Sequence, residues 1–466
     1  MQHENDVSEE LVSELETRFE DRCLLPGDET YGEAIAIWNG AVERFPATVV
    51  QCEDTEDVVA AIEAVTEHDV PFSVKGGGHM TTGHAIVEDG VVLDLAPMND
   101  VDVDPDAGTV TVGGGATWDV VNQAALEYDL IPPGIPDAVG VAGFTLGGGM
   151  GVTGRMNGLA CDNLRSAEVV TATGAVVTAS EDENEELFWA IRGGSGTVGI
   201  VTAFEFECVE ASRECMVANV LYPFDEAAEY LEYFGDVAPD MPEETFPTAA
   251  VMTVPELPDL PEALHGERAI AGYVMGIGSG DDIKAALESF ADFGDPHVAA
   301  VYPADYTELY EPFKIPDGQR HHWESFYLHE LDETFIETLL EEATPMPTPL
   351  SNIAIYGLGG AINRVDSDAT AYPHRNAPFA VHIQGHWLDE SDDDACTEWT
   401  RELHETLREF GTGGEYVNNQ TDTDEDRVRA SFGENYDRLA EVKAQWDPED
   451  RLRSTQYVEP AGSIDG

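Results

Sequence analysis

An α+β architecture in two domains is predicted by three observations on this chain of 466 residues. The length carries two or three domains with ample core. The first half alternates helical patterns with many short β-like runs, without the regular βαβ repeat of a doubly wound sheet. Beyond Met216 the glycine clusters thin, and prolines and aromatics punctuate helices and strands as far as about Glu415. A second domain, an antiparallel sheet with helices on one side, is expected there.

The elements follow in order. Residues up to about 40 carry helical patterning and predict an N-terminal extension packed on the first domain. Thr55 reads as the N-cap of a helix in which Val58, Val59, Ile62 and Val65 share one face. That helix feeds the β-like run Pro71-Phe72-Ser73-Val74. Residues 90–95 and 109–112 read as further strands, and Thr117 caps a helix containing Val120, Val121, Ala124 and Ala125. Residues 168–171 and 176–178 flank Ala172-Thr173-Gly174-Ala175, a hairpin signal. Residues 201–206 alternate as a strand does, whereas 240–261 reads as a proline-rich loop.

Composition excludes several functions. There are 22 basic against 93 acidic residues, a formal charge of −71, with the acidic residues scattered through every segment. Such a chain repels itself at low ionic strength. At molar salt the Debye length falls to about 3 Å, which screens the repulsion. This predicts adaptation to a salt-filled cytoplasm, as in extreme halophiles, and disfavours nucleic acid and anionic membrane as partners. Six cysteines without a CxxC pair predict neither a disulfide framework nor a zinc site. The N-terminus lacks a basic n-region and an apolar h-region, and no stretch approaches the roughly 18 apolar residues of a membrane span. A soluble, cytoplasmic protein is expected.

Chemistry concentrates in four ordered segments. The first is Lys75-Gly76-Gly77-Gly78-His79, which holds one of only four lysines in the chain. Successive glycines let backbone N–H groups converge on one point, a concavity that suits a diphosphate, although a mobile loop has the same composition. The second runs from Gly134 to Gly151 through Pro136, Asp137, Val139, Gly140, Gly143, Gly147 and Gly148. The third reads Leu187-Phe188-Trp189-Ala190-Ile191-Arg192-Gly193-Gly194, then Gly199-Ile200-Val201-Thr202. The fourth reads Asn435-Tyr436-Asp437-Arg438-Leu439, then Val442-Lys443 and Trp446-Asp447-Pro448. No GxGxxG stands in a strand–turn–helix setting followed by an acidic ribose ligand, so a Rossmann site is rejected.

Together these segments resemble the berberine-bridge-enzyme-like branch of the vanillyl-alcohol-oxidase superfamily of FAD-linked oxidases, densely over residues 45–206 and again over 372–460. The resemblance implies a PCMH-type FAD-binding fold with a substrate domain built on an antiparallel sheet covered by helices. It divides the chain into an extension (1–40), an FAD-binding domain (41–212), a substrate domain (213–415) and a returning C-terminal segment (416–466). It places FAD along Val74, Lys75, Gly76, Gly77, Gly78, His79, Gly83 and His84, along Asp137, Val139, Gly140, Gly143, Gly147, Gly148 and Gly151, and beside Ile200, Val201 and Asn418.

His79 matches the residue that in this family bonds covalently to the flavin 8α-methyl carbon; a hydrogen-bonded histidine beside noncovalent FAD is the alternative. Pro136 stands where relatives carry a cysteine linked to flavin C6, so no cysteinyl bond is expected. Valine at 139 matches relatives that admit dioxygen. Tyr416-Val417-Asn418 resembles the family's Tyr-x-Asn element, in which tyrosine acts as base and asparagine holds the flavin. Tyr372-Pro373-His374-Arg375 resembles another active-site element. Arg375 would then supply the cation that lowers the tyrosine pKa, or else form an ordinary ion pair. Asp162-Asn163 braces the loop or forms a simple turn. His321-His322-Trp323 and Phe326-Tyr327 wall the substrate cavity or pack in the core; adjacent histidines point apart, so no metal site is expected. The implied activity is oxidation of a C–OH or C–N bond of a small molecule, by hydride transfer to flavin N5 and reoxidation by O2 to H2O2. A dehydrogenase using another electron acceptor and a non-catalytic flavin-binding protein remain as alternatives.

Overall fold

Three large sheets, beside a short pair of Leu130–Ile131 with Val209–Glu210, organise the chain, which the computed structural model describes over residues 7–256, 260–453 and 456–462. In the first sheet, Thr48–Gln51, Val91–Asp94 and Phe72–Lys75 run parallel, and Cys23–Leu24 joins antiparallel at the Thr48–Gln51 edge. The expected N-terminal helix spans Glu9–Phe19 and buries Leu11, Leu15 and Phe19 in the same core as Val58, Ile62 and Val65 of the helix Thr55–Glu67. Asp54, not Thr55, caps that second helix, accepting from the Asp57 N–H at 2.9 Å. The Thr55 hydroxyl is drawn away to Glu168, at 2.6 Å.

The second sheet is antiparallel, in the order Val101–Asp104, Thr109–Gly113, Ile200–Glu207, Leu164–Val170, Val176–Ser180. Its last pair forms the expected hairpin. The helix Trp118–Ala125 packs on this core through Trp118, Val121 and Ala125, while Val120 lies outside, 45% exposed.

The third sheet has seven antiparallel strands: Val298–Asp305, Glu214–Pro223, Arg268–Ile277, Thr245–Thr253, Asn352–Gly357, Phe379–Trp387, Arg320–Leu328. The 240–261 stretch is therefore not all loop. Pro247 sits one residue outside the run paired with Asn352–Gly357, a place where a strand tolerates proline. Period-two alternation gives this sheet two different faces. Val251, Ile353, Ile355, Val381 and Ile383 point to a core shared with the helices Ala227–Val237, Asp281–Phe290, Glu333–Glu342 and Asp393–Leu407. Thr248, Asn352, Tyr356, His382, Gln384 and His386 point the other way, into a cavity. Among the described residues, no helix is long and apolar enough to cross a membrane.

Candidate active site

All three sheets contribute to that cavity, which encloses about 1060 Å³. One end is the turn that leaves the strand Phe72–Lys75. Gly78 adopts φ +67°, open to glycine at no steric cost. The backbone N–H groups of Gly76, Gly77, Gly78 and His79 donate to no other described residue. Four free amide donors in succession on a cavity wall make an anion cradle. A Cβ on Gly77 would lie 2.5 Å from Gly140 Cα, so the second glycine segment closes directly on the first. Gly143, by contrast, leaves open space where its Cβ would stand.

His79 lines the cavity beside this cradle. Its ring stacks on Trp38 with centroids 5.1 Å apart, and Trp38 stacks in turn on His321 at 3.8 Å. The backbone N–H of Trp38 donates to the Gly78 carbonyl at 3.1 Å, which fixes the N-terminal segment against the turn. Burial pushes the His79 pKa down, against the nearby Asp137 and Asp317, so the imidazole is neutral and nucleophilic. Val74, Gly76, Gly77, Gly78, His84, Asp137, Val139, Gly140, Gly143, Ile200 and Val201 line the same cavity, as do Tyr416 and Asn418. His84 Nδ1 and Asn418 Oδ1 are buried without a partner among the described residues, as expected of groups that a ligand completes.

Several expected site residues lie behind the wall instead. Lys75 Nζ is 3.5 Å from Asp94 Oδ1, both buried, so its charge serves the sheet. Gly83 makes room for Val42, Gly147 for the Asn418 side chain, Gly148 for Tyr372, and Gly151 for the Pro133 and Gly134 carbonyls. These glycines permit packing around the cavity rather than contact within it. Arg375, 1% exposed, donates to both Asp162 carboxylate oxygens at 2.7 Å. This buried pair braces the loop that Asp162 and Asn163 anchor, and leaves the guanidinium no reach to the cavity. His374 is half-buried, with Nε2 2.9 Å from the Ser431 carbonyl and its pKa pushed down to about 4 by desolvation. Phe326 and Tyr327 are core residues.

Tyr416, 3% exposed, accepts at Oη from the Met150 N–H at 3.1 Å and from Asn418 Nδ2 at 3.2 Å. Burial pushes its pKa up to about 12 although those donors pull it down. Trp323 reaches the cavity. His321 pairs with His386, which lines the cavity, Nδ1 to Nδ1 at 2.8 Å. His322 points to the opposite face, with Nδ1 2.6 Å from the Thr400 hydroxyl. Its Nε2 lies near Glu324 and Asp422, a group with metal-ligand spacing whose two carboxylates already pair with Arg427 and Arg401. Sequence reasoning misses Trp38, Thr248, His382, Gln384 and His386. A signal for three of them exists: His382-Ile383-Gln384-Gly385-His386 is polar at alternate positions within an otherwise apolar strand.

An amide cradle, close-approach glycines and a neutral imidazole on one sheet-lined cavity fit a dinucleotide-dependent redox enzyme. Comparison with known proteins gives the same class. The family description "FAD binding domain" matches residues 46–180, and "Berberine and berberine like" matches 415–459. The chain is 30% identical to the FAD-linked oxidoreductase fogF of Aspergillus ruber over 74% of this chain and 72% of that one. It is 28% identical to (R)-6-hydroxynicotine oxidase of Paenarthrobacter nicotinovorans over 98% and 100%. The crystal structure of 6-hydroxy-D-nicotine oxidase from Arthrobacter nicotinovorans superposes with a TM-score of 0.83 at 25% identity, over 94% of this chain and 97% of that one. The protein belongs to the berberine-bridge-enzyme-like family of FAD-linked oxidoreductases.

Proposed function

We propose that the protein oxidises an alcohol carbon of a small uncharged molecule, a sugar or another hydroxylated compound, and is an oxidase. The observation that carries this is one continuous cavity lined by the amide cradle, His79, Tyr416 and neutral hydrogen-bonding side chains. Asn219, Thr248, Asn352 and Gln384 suit hydroxyl groups. Asp137 is the only carboxylate on the cavity wall among the described residues, so a cationic amine is poorly matched. The relative named for 6-hydroxynicotine favours a second reading, oxidation at C–N.

FAD, when bound, supplies the hydride acceptor and returns the electrons to O2 as H2O2. The amides of Gly76–His79 would hold its diphosphate, Gly140 and Gly143 allow close approach, and Asn418 Oδ1 would accept a hydrogen bond from it. His79 carries the covalent link in this proposal, with Pro136 excluding a second one. Tyr416 Oη, as the phenolate, takes the substrate hydroxyl proton. The two N–H donors aimed at it favour the deprotonated oxygen, and burial opposes them. Residues 41–212 and 416–466 would form the cofactor half and 213–415 the substrate half.

Two measurements test this. Acid-precipitated protein should keep its yellow colour, and His79→Ala should release it. Anaerobic mixing with a panel of sugars, alcohols and amines should bleach the flavin with an alcohol, and oxygen should restore it rapidly. Slow restoration would make the enzyme a dehydrogenase with another acceptor. Absence of bleaching by every compound would make it a flavin-binding protein without turnover.

A further inference from the structure

His382 faces the cavity with a hydrogen bond unmade. On its strand, Val381 and Ile383 point to the helices, while His382 lines the cavity and is only 3% exposed. The ring is held on three sides. Tyr356 meets it edge-on at 4.4 Å, Tyr416 stacks on it at 6.0 Å, and Asn419 Nδ2 lies 2.8 Å from its Nδ1. Asn419 is fixed in turn, its backbone N–H donating to the Tyr416 carbonyl at 3.0 Å.

An amide nitrogen only donates, so Nδ1 is the acceptor and the ring proton sits on Nε2. Burial pushes the His382 pKa down to about 3, which keeps the ring neutral. Nε2 has no partner among the described residues. Buried donors are rarely left unpaired, and at a ligand cavity the ligand is the missing acceptor.

We propose that His382 donates its Nε2 proton in a hydrogen bond to the oxygen of the substrate's reacting C–O group, and that this donor selects alcohols over protonated amines. The proposal rests on the alcohol-oxidising function above. An alcohol oxygen has lone pairs for Nε2–H while its own proton points to Tyr416; an ammonium has none and would set N–H against N–H. In the reaction the C–H bond breaks and the hydride leaves to the cofactor. The O–H bond breaks and its proton passes to Tyr416 Oη in its phenolate form, and a C=O double bond forms. His382 keeps its proton throughout, because the product oxygen is still an acceptor.

The test has two arms on FAD-loaded protein in molar KCl. In the first, 15N-histidine spectra, with the His382 signals assigned by difference against His382→Gln, should show a protonated Nε2 and a bare Nδ1 at neutral pH. Asn419→Asp should draw the proton to Nδ1. A proton on Nδ1 in the wild type, or an imidazolium, overturns the proposal whatever the enzyme oxidises. In the second arm, His382→Ala should lower kcat/KM for the best panel alcohol about tenfold or more at unchanged FAD content, with a change of less than about twofold for the best amine. His382→Gln, which retains a donor, should recover part of the loss and serves alone if the alanine variant does not fold. An unchanged alcohol rate, or equal losses for alcohol and amine, overturns the proposal. A wild type that bleaches with no alcohol defeats the alcohol function itself, and the tautomer arm then still decides whether the donor exists.

Discussion

Gly77 and Gly140 pack backbone against backbone: a Cβ on either would lie 2.5 Å from the main chain of the other. No side-chain rotation relieves such a contact. Gly140→Ala must separate the two turns, at a cost of about 1–3 kcal/mol, and the cradle with them. The expected result is at least a tenfold fall in FAD bound per protein, read from the ratio of flavin to protein absorbance. Gly280→Ala, at an open position with nothing within 4 Å, is the control and should bind FAD normally.

Arg375→Ala should act on stability rather than chemistry. It strands the Asp162 carboxylate in a buried site, and breaking such a pair costs about 3–5 kcal/mol. Denaturant unfolding at constant salt measures this. The surviving folded enzyme should reduce its flavin at nearly the wild-type rate, because the guanidinium touches Asp162, Thr370 and Tyr372 rather than Tyr416.

Tyr416→Phe should do the reverse. It removes the oxygen that Met150 and Asn418 address, leaving the fold and FAD content intact. Loss of a general base lowers turnover by about 10²–10⁴-fold. Because burial pushes the phenol up, wild-type kcat should climb with pH on the alkaline side while the phenylalanine variant stays flat. A climbing profile in that variant would assign the base elsewhere.

Acid should destabilise the fold through its desolvated histidines. His374 and His386 are pushed down to about 4 and His382 to about 3, each by desolvation. Unfolded histidine titrates near pKa ~6.5. Since the folded values are the lower ones, this stability is fully present above that pH and is lost as pH falls through the folded values. Thermal midpoints in constant molar KCl should therefore decline from about pH 6.5 downward. Midpoints that do not move over this interval would show that the imidazoles protonate without unfolding.

Removing salt should also unfold the protein. With a formal charge of −71, folding gathers repelling carboxylates that only a short Debye length screens. The midpoint should rise steeply between low and molar KCl, in keeping with a proposed high-salt cytosol. Equal midpoints at both ends of that range would contradict this.

What the sequence discloses about the site follows how local each signal is. The turn Lys75–His79 is legible because three glycines and an imidazole act within five residues. The Tyr416-Val417-Asn418 element is similarly compact, and its two side chains do meet, at 3.2 Å. The environment of Arg375 is not legible, because its partner Asp162 is 213 residues away in the chain. Nor is that of Trp38, which the Gly78 carbonyl draws from the N-terminal segment to the cavity. Thr55 and Asp54 are both competent caps, and the choice falls to Asp54 because Glu168 takes the threonine hydroxyl. His382 shows in the sequence only as one of several polar residues until the ladder with Asn352–Gly357 fixes which way its strand faces.

That ladder separates two kinds of evolutionary change. On Phe379–Trp387, point substitutions at even positions can retune what the chamber accepts without touching the isoleucine and valine that the helices require. A one-residue deletion has no such freedom. By inverting the strand it would press two imidazoles and an amide under the helices and turn aliphatic groups toward the flavin. Relatives with different substrates should therefore differ along this strand in residue identity while preserving its length.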